Sequence, residues 1–400
     1  MFEKDVKIGL FFATCIVAGN MIGSGIFLLP SALAQLGSAS VLAWFIAGLG
    51  AAVLALMYAR LALIRPANEG LMEYPRASLP EPIGFLNWFF YWFACWAGNG
   101  AIILAAVGYF KAIFGLEITR LGDTALFVGG VWLAAGANLL GPAFIGRISA
   151  ATLAVGLAPI LATIIGGALY FDAGLFAASW NQSGAPLLAG LSPLVLTVFW
   201  AFIGLESANV LCGVVRNPTR TIPYAALLGT GLAGVAYLLA SIAVFGLVTA
   251  VDLQNSSAPF ADAVAAAFGP VAGIAIAACA FLRTFGCASG WLLVSAEVND
   301  AAVGFGYLPR QLRPTRPEGR RWRGVVMIAA LMSLVGIATM SPTLNEQFIF
   351  IVDIAVLMFL FVYGTSGFAL MRLSQKGGDR ALGALGVCIS SAVMVGYFFA

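Results

Sequence analysis

Histidine is absent from the 400 residues, and charged residues make up only 9% of them. The first absence removes imidazole acid–base chemistry, histidine metal sites and histidine-ligated haem. The second removes a soluble globule, whose surface carries far more charge. The six cysteines (Cys15, Cys95, Cys212, Cys279, Cys287 and Cys388) have neither metal nor disulfide spacing. All fall in apolar runs, where they read as small core residues. No phosphate-cradling glycine loop is present, and no loop between apolar runs is long enough for a nucleotide-hydrolysing domain. With no carboxylate pair beside a candidate Ser or Cys, an enzyme is not expected, nor a cofactor, nor a bound metal. A net charge of +3 makes no case for nucleic acid.

What is present is apolar: 62% of the residues are hydrophobic, and the mean hydropathy is +1.00. A membrane crossing takes about 20 apolar residues. Segments of that kind run over 8–36, 41–64, 83–114, 124–141, 148–171, 189–212, 222–249, 268–299, 323–341, 346–372 and 381–400. The expected fold is an all-α membrane protein of about eleven transmembrane helices. The first segment has no small-residue cleavage site and is followed closely by others, so it does not read as a removable leader.

The cations set the orientation. Lys4, Lys7, Arg60, Arg65, Arg76, Arg147, Arg216, Arg220, Arg372, Lys376 and Arg380 fall in alternate loops, joined by Arg310, Arg313, Arg316, Arg320, Arg321 and Arg323. Only Lys111 and Arg120 fall on the opposite side. The positive-inside rule then puts the N-terminus in the cytoplasm, in the inner (plasma) membrane of a cell. The arginine-rich loop after the eighth span serves this topology better than it serves a nucleic-acid patch.

Two spans are interrupted. In the first, Gly19-Asn20-Met21-Ile22-Gly23-Ser24-Gly25-Ile26-Phe27 puts three glycines within seven residues, each about 1 kcal/mol worse than Ala in a helix interior. This pattern suits a close helix crossing or a broken helix. A break at membrane depth frees backbone groups that hydrocarbon cannot satisfy, so it occurs where it lines a cavity. The sixth span carries Pro193 and then Phe199-Trp200-Ala201-Phe202-Ile203-Gly204-Leu205-Glu206-Ser207. Breaks five spans apart favour the second reading, with a site at midplane between two inverted repeats. On this reading residues 1–400 form one transmembrane domain, with 8–171 as the first repeat, 189–372 as the second and 381–400 as an added helix. A channel would require rings of charge or carbonyls, which the isolated charges do not supply.

Three ionisable residues lie deep inside spans: Glu206, Arg283 and Asp353. Each costs about 2.5 to 3.5 kcal/mol at a helix centre and so needs a partner or a wet cavity. Glu206 could accept an ammonium, carry a proton or close a gate. Arg283 and Asp353 either pair with each other or act apart, with Arg283 a fixed charge beside the first span in place of a coupling sodium. Tyr91, Trp92 and Asn99 in the third span, Trp200, Trp291 and Tyr363 sit well inside their spans, whereas Trp88 and Trp322 read as interface anchors.

The run GNMIGSGIFLLP (19–30) resembles the first-span motif of the amino acid–polyamine–organocation (APC) superfamily. YWFACWAGN (91–99), WAFIGLESANV (200–210), VVRNPTRTIP (214–223), SAPF (257–260) and GW (290–291) extend the resemblance along nearly the whole chain. It is nearest to the basic amino acid/polyamine antiporters: arginine/agmatine, lysine/cadaverine and putrescine/ornithine exchangers. The resemblance implies a five-plus-five inverted-repeat fold with broken first and sixth helices and alternating access. It implies a small amino acid or amine as substrate, in contact with membrane lipid and compatible with a homodimer. By the same resemblance, Ser24 and Gly25 hold the substrate carboxylate, and the carbonyls of Met21, Trp200 and Ile203 take its amino group. Ala94, Cys95 and Asn99 line the head group, and Trp291 packs on the side chain. Tyr91, Glu206 and Tyr363 form an inner gate.

The chain departs from that pattern in four places. Glu69-Gly70 stands for a glycine pair, Arg283 for a small residue, Asp353 for a small or polar one, and an eleventh span comes last where twelve are usual. The two charge changes bear on the substrate, since an added cation disfavours dications. A neutral amino-acid carrier or proton-coupled permease of the same superfamily is the alternative.

Overall fold

The computed structural model describes residues 8–23, 26–65, 71–207, 215–312 and 322–399. Among these the regular structure is helical, apart from an isolated bridge between Ile8 and Val215. The first span is divided into α1 (Leu10–Met21) and α2 (Leu29–Leu33). The chain continues through α3 (Val41–Ile64), α4 (Glu73–Ser78), α5 (Glu81–Phe114), α6 (Arg120–Asn138), α7 (Pro142–Tyr170) and α8 (Ala173–Ala178). α9 (Leu187–Phe199) opens the sixth span, and α10 (Pro218–Leu247), α11 (Ala250–Asn255) and α12 (Pro259–Phe268) follow. α13 (Pro270–Phe305), α14 (Trp322–Ala338), α15 (Leu344–Leu373) and α16 (Gly377–Phe398) complete the fold.

Among the described residues, eight of these segments are long and apolar enough to cross a membrane. The other three expected spans are helical too. The first is shortened by its break, the ninth is α14 with 17 residues, and the fourth is α6, whose Arg120, Asp123 and glycines dilute its hydropathy. The multi-pass, all-α architecture is therefore as expected.

Helix ends follow local chemistry. α5 opens with Pro82 in its first turn, where the missing N–H has no helical partner anyway. It stops at Gly115, which takes the left-handed conformation at φ 60°. Thr119 caps α6 by accepting from the Gly122 N–H at 3.3 Å, and Thr343 caps α15 from the Glu346 N–H at 3.1 Å.

Burial shows what lies at the centre. Of its most apolar stretch α5 buries 89%, against 22% for α7 and 17% for α16. α5 is therefore the axis, and the outer helices turn apolar faces outward, as lipid contact requires. α13 packs on α5 and α7, α15 on α5 and α16, and α10 on α1 and α3. Ion pairs tie the ends: Arg60 to Asp379 at 2.7 Å, and Lys111 to Asp123 at 2.7 Å.

Two expectations change. Cys95 and Cys287 are core residues, but Cys15 and Cys388 face outward, because an outward apolar position in a membrane protein is as acceptable to a thiol as the core. Trp88 is no interface anchor: it is buried, stacked 5.9 Å from Trp92 and 5.2 Å from Tyr307. Cys212 and Glu69-Gly70 lie outside the described residues, as do Lys4, Lys7, Arg313, Arg316, Arg320 and Arg321.

Candidate functional site

The two interrupted spans meet. α1 ends at Met21, and the next helix among the described residues, α2, begins at Leu29. In the sixth span α9 ends at Phe199, a tight turn covers Trp200–Phe202, and Ile203 is extended. Gly204 follows at φ 106°, and a Cβ on it would lie 3.2 Å from the Asn20 carbonyl oxygen. Glycine is required twice over at this position, for its conformation and for its space. The close approach brings both sets of freed backbone groups to one place.

A cavity opens there. Its lining includes Met21 from the first break, Ala94, Cys95 and Asn99 from α5, Trp200 and Ile203 from the second break, and Trp291 from α13. Seven sequence-predicted residues thus share one wall. Ser24 and Gly25 lie outside the described residues. Ala94, Cys95 and Asn99 meet because α5 is helical and the offsets of four and five residues keep them on one side. The space open to the centre of a water-sized sphere is only about 10 Å³, on the order of one water. At that size the cavity as it stands holds no more than a water.

The polar groups of the wall are few. The Asn99 side-chain amide donates to the Ala288 carbonyl at 3.0 Å, while its own oxygen is buried without a partner. The Trp200 indole N–H is likewise buried and unpartnered. Such groups are costly unless a ligand or water meets them. The Met21 carbonyl already accepts from the Gly23 N–H at 2.8 Å, and the Trp200 carbonyl from the Ile203 N–H at 3.2 Å. A carbonyl has two lone pairs, so both can still accept from an ammonium.

Three lining residues escaped sequence reasoning: Asn20, Ile102 and Phe359. Phe359 matters most, because it joins the cavity to Tyr91 and Tyr363. Its ring is 6.5 Å from Trp291, 5.8 Å from Tyr91 and 6.1 Å from Tyr363. A usable signal was present, since Phe359 stands one helical turn before Tyr363.

The residues expected to form an inner gate lie together beyond Phe359. Glu206 Oε2 accepts from the Tyr363 hydroxyl at 3.0 Å and from the Gly204 N–H at 3.1 Å. Tyr58 packs on Tyr363 at 5.4 Å and donates to Ser366 at 3.0 Å. Tyr91 reaches the group through Phe359.

Arg283 and Asp353 do not pair. Among the described residues the Arg283 guanidinium, buried to 5% exposure, donates only to backbone carbonyls. Nη2 reaches Ile22 O at 2.9 Å and Gly19 O at 3.2 Å, and Nε reaches Ile22 O at 3.2 Å. Its stem passes over α7 at Gly156, where a Cβ would fall 2.3 Å from Arg283 Cγ. Asp353 instead accepts from the Thr197 hydroxyl at 2.8 Å on the far side of the cavity wall. The backbone of the break, rather than a carboxylate, is the partner that the buried arginine required.

The sequence matches the amino acid permease family over residues 8–400. It is similar to the putrescine transporter PotE of Haemophilus influenzae, 32% identical over 373 residues, covering 93% of this chain and 86% of that one. It is similar to the cadaverine/lysine antiporter of Escherichia coli K12 at 33% over 371 residues, covering 92% and 83%. The Escherichia coli K12 PotE is 31% identical over 372 residues, covering 93% and 85%.

Proposed function

The chain belongs to the amino acid permease family, and from that premise we propose that it exchanges a basic amino acid for an amine by alternating access. It is a multi-pass membrane transporter and not an enzyme. The observation that carries the reading is the cavity between the two breaks, lined by residues of both and of α5 and α13. Freed carbonyls of Met21, Trp200 and Ile203 suit an ammonium. Ser24 and Gly25 take the carboxylate, and the faces of Trp200 and Trp291 receive the apolar stem or a distal cation. The Glu206–Tyr363 pair, with Tyr91 behind it, closes the route on one side. The distribution of Arg and Lys supports a cytoplasmic N-terminus in the inner membrane, and the placing of the breaks supports the two repeats, 8–171 and 189–372. Arg283 serves as a fixed cation on the first break, where a dissociable ion would otherwise sit.

A second reading rests on one observation. No carboxylate lines the cavity among the described residues, which favours a neutral amino-acid carrier. Counterflow into proteoliposomes separates the two. Internal lysine, ornithine, cadaverine or putrescine should accelerate uptake of its labelled counterpart, and empty liposomes should not. Acceleration by neutral amino acids alone would favour the second reading. Purified protein gives an independent check, since a true substrate at 100 times its Kd stabilises by about 2.7 kcal/mol.

A further inference from the structure

Asp353 has no part in the site described above. It lies in α15, two residues before Ala355, which packs against α5 beside Trp200, and six before the cavity residue Phe359. Its own side chain points away from them, towards α9 and α16. It is buried to 6% exposure, and among the described residues no lysine or arginine comes within ion-pair distance. Among the described residues it accepts from the Thr197 hydroxyl, 2.8 Å from Oδ1, and from the Tyr397 hydroxyl of α16. The titratable group facing it is Tyr397 of α16; α2, α3, α4, α5 and α9 also pack on α15, and neither Glu73 nor Arg76 of α4 nor any other charged side chain of theirs acts on it among the described residues.

Thr197 is what makes this position consequential. It sits three residues before Trp200, in the half-helix that ends at the second break. Its hydroxyl has a second acceptor, the Pro193 carbonyl at 3.4 Å. α9 is also held to α16 by the Ser192 hydroxyl, which donates to the Gly396 carbonyl at 2.8 Å. The carboxyl therefore lies at a three-helix joint whose α9 member carries a wall of the cavity.

An ionised carboxylate without a cation is costly at membrane depth, and a bound proton removes the charge. We propose that Asp353 is a proton-binding site whose state is transmitted through Thr197 to the half-helix ending in Trp200. The ionised carboxylate accepts the Thr197 hydroxyl hydrogen. When Asp353 takes a proton from water, its carboxyl becomes a donor, and Thr197 accepts it and donates to Pro193 O instead. The proton returns to water when the exchange reverses. This second carboxyl is separate from the gate at Glu206, and its effect on transport rests on the proposed transport reading.

The test uses the full-length protein in two ways. First, melting temperature is followed from about pH 5 to about pH 8 for the wild type, D353N, E206Q and the two combined. D353N imitates the protonated form, so it should match the wild type in acid and exceed it increasingly as pH rises. Adding D353N to E206Q should open the same pH-dependent gap as adding it to the wild type. A gap between wild type and D353N that does not change with pH overturns the proposal. Second, counterflow is measured over the same range. Wild-type rates should change about threefold or more, and D353N should stay at the acid level. A wild-type pH profile in D353N overturns the coupling. If the wild type exchanges no basic amino acid or amine, the transport reading fails, while the melting gap still decides whether Asp353 titrates. If D353N does not fold, T197V replaces it. Loss of the donor should move the midpoint to higher pH, and an unmoved midpoint counts against the proposal.

Discussion

The two broken spans are held open by side chains of opposite charge. At the first break, a guanidinium donates to two carbonyls, Gly19 O and Ile22 O. At the second, a carboxylate accepts from a backbone N–H, that of Gly204, and from the Tyr363 hydroxyl. Each charge matches the backbone group its break has freed: carbonyls take the cation, and the amide takes the anion. The difference between them lies in reach. Among the described residues Arg283 bonds only to the break itself, whereas Glu206 bonds to the break and to a tyrosine on another helix. One break is pinned to its neighbour α13, and the other is latched to α15 through the Tyr363 hydroxyl. The first is then expected to be the fixed half of the site and the second the moving half.

Removing the pin should have the largest effect. R283A leaves two buried carbonyls without their donor and a void over Gly156. Hydrogen bonds to charged groups contribute about 1.5 to 3 kcal/mol each, so the expected result is a large fall in melting temperature and loss of exchange. R283K keeps the charge but lacks the planar fork, and should recover stability in part. Equal behaviour of R283A and the wild type in both measurements would abolish the distinction between fixed and moving halves.

The contact between the breaks comes next. G204A places a Cβ 3.2 Å from Asn20 O on a backbone at φ 106°. A non-glycine residue held in a sparsely populated region costs about 1 to 3 kcal/mol. The variant should fold with a lowered melting temperature and a raised KM, because Asn20 and Ile203 are pushed apart at the cavity. An unchanged KM would mean that the breaks do not need to touch for binding.

The same comparison explains what could be read in the sequence. Long apolar runs and sparse charge fixed the helical architecture, and clustered glycines marked the first break. Glu206 marked the second because a carboxylate there is too costly to be incidental. The partners were less legible. A buried arginine and a buried aspartate suggest each other by charge alone, and nothing in the chain order says that Arg283 meets carbonyls while Asp353 meets a threonine. Phe359 was hidden for the opposite reason: an aromatic in an apolar helix carries no distinguishing mark until its neighbours Trp291, Tyr91 and Tyr363 are placed around it.

The smallest expected effect belongs to the latch, and it is the sharpest test of the comparison. Y363F deletes one hydroxyl and leaves the ring packed on Tyr58 and Phe359. Glu206 keeps the Gly204 N–H and its own backbone N–H, so its carboxylate loses one donor rather than all of them. That loss is about 1.5 to 3 kcal/mol at most for a hydrogen bond to a charged group. Because the bond joins a break to a different helix, its energy should appear in the balance between closed and open forms and little in the folded state as a whole. Y363F should therefore melt within a few degrees of the wild type and open more readily on the gated side. A maleimide probe at a cysteine introduced along α15 on that side should label several-fold faster in Y363F. E206Q retains an acceptor for these donors without the charge and should fall between the two. Equal labelling in all three proteins, with a lowered melting temperature in Y363F, would make the Glu206–Tyr363 bond a structural tie like that of Arg283, and both breaks would then be fixed.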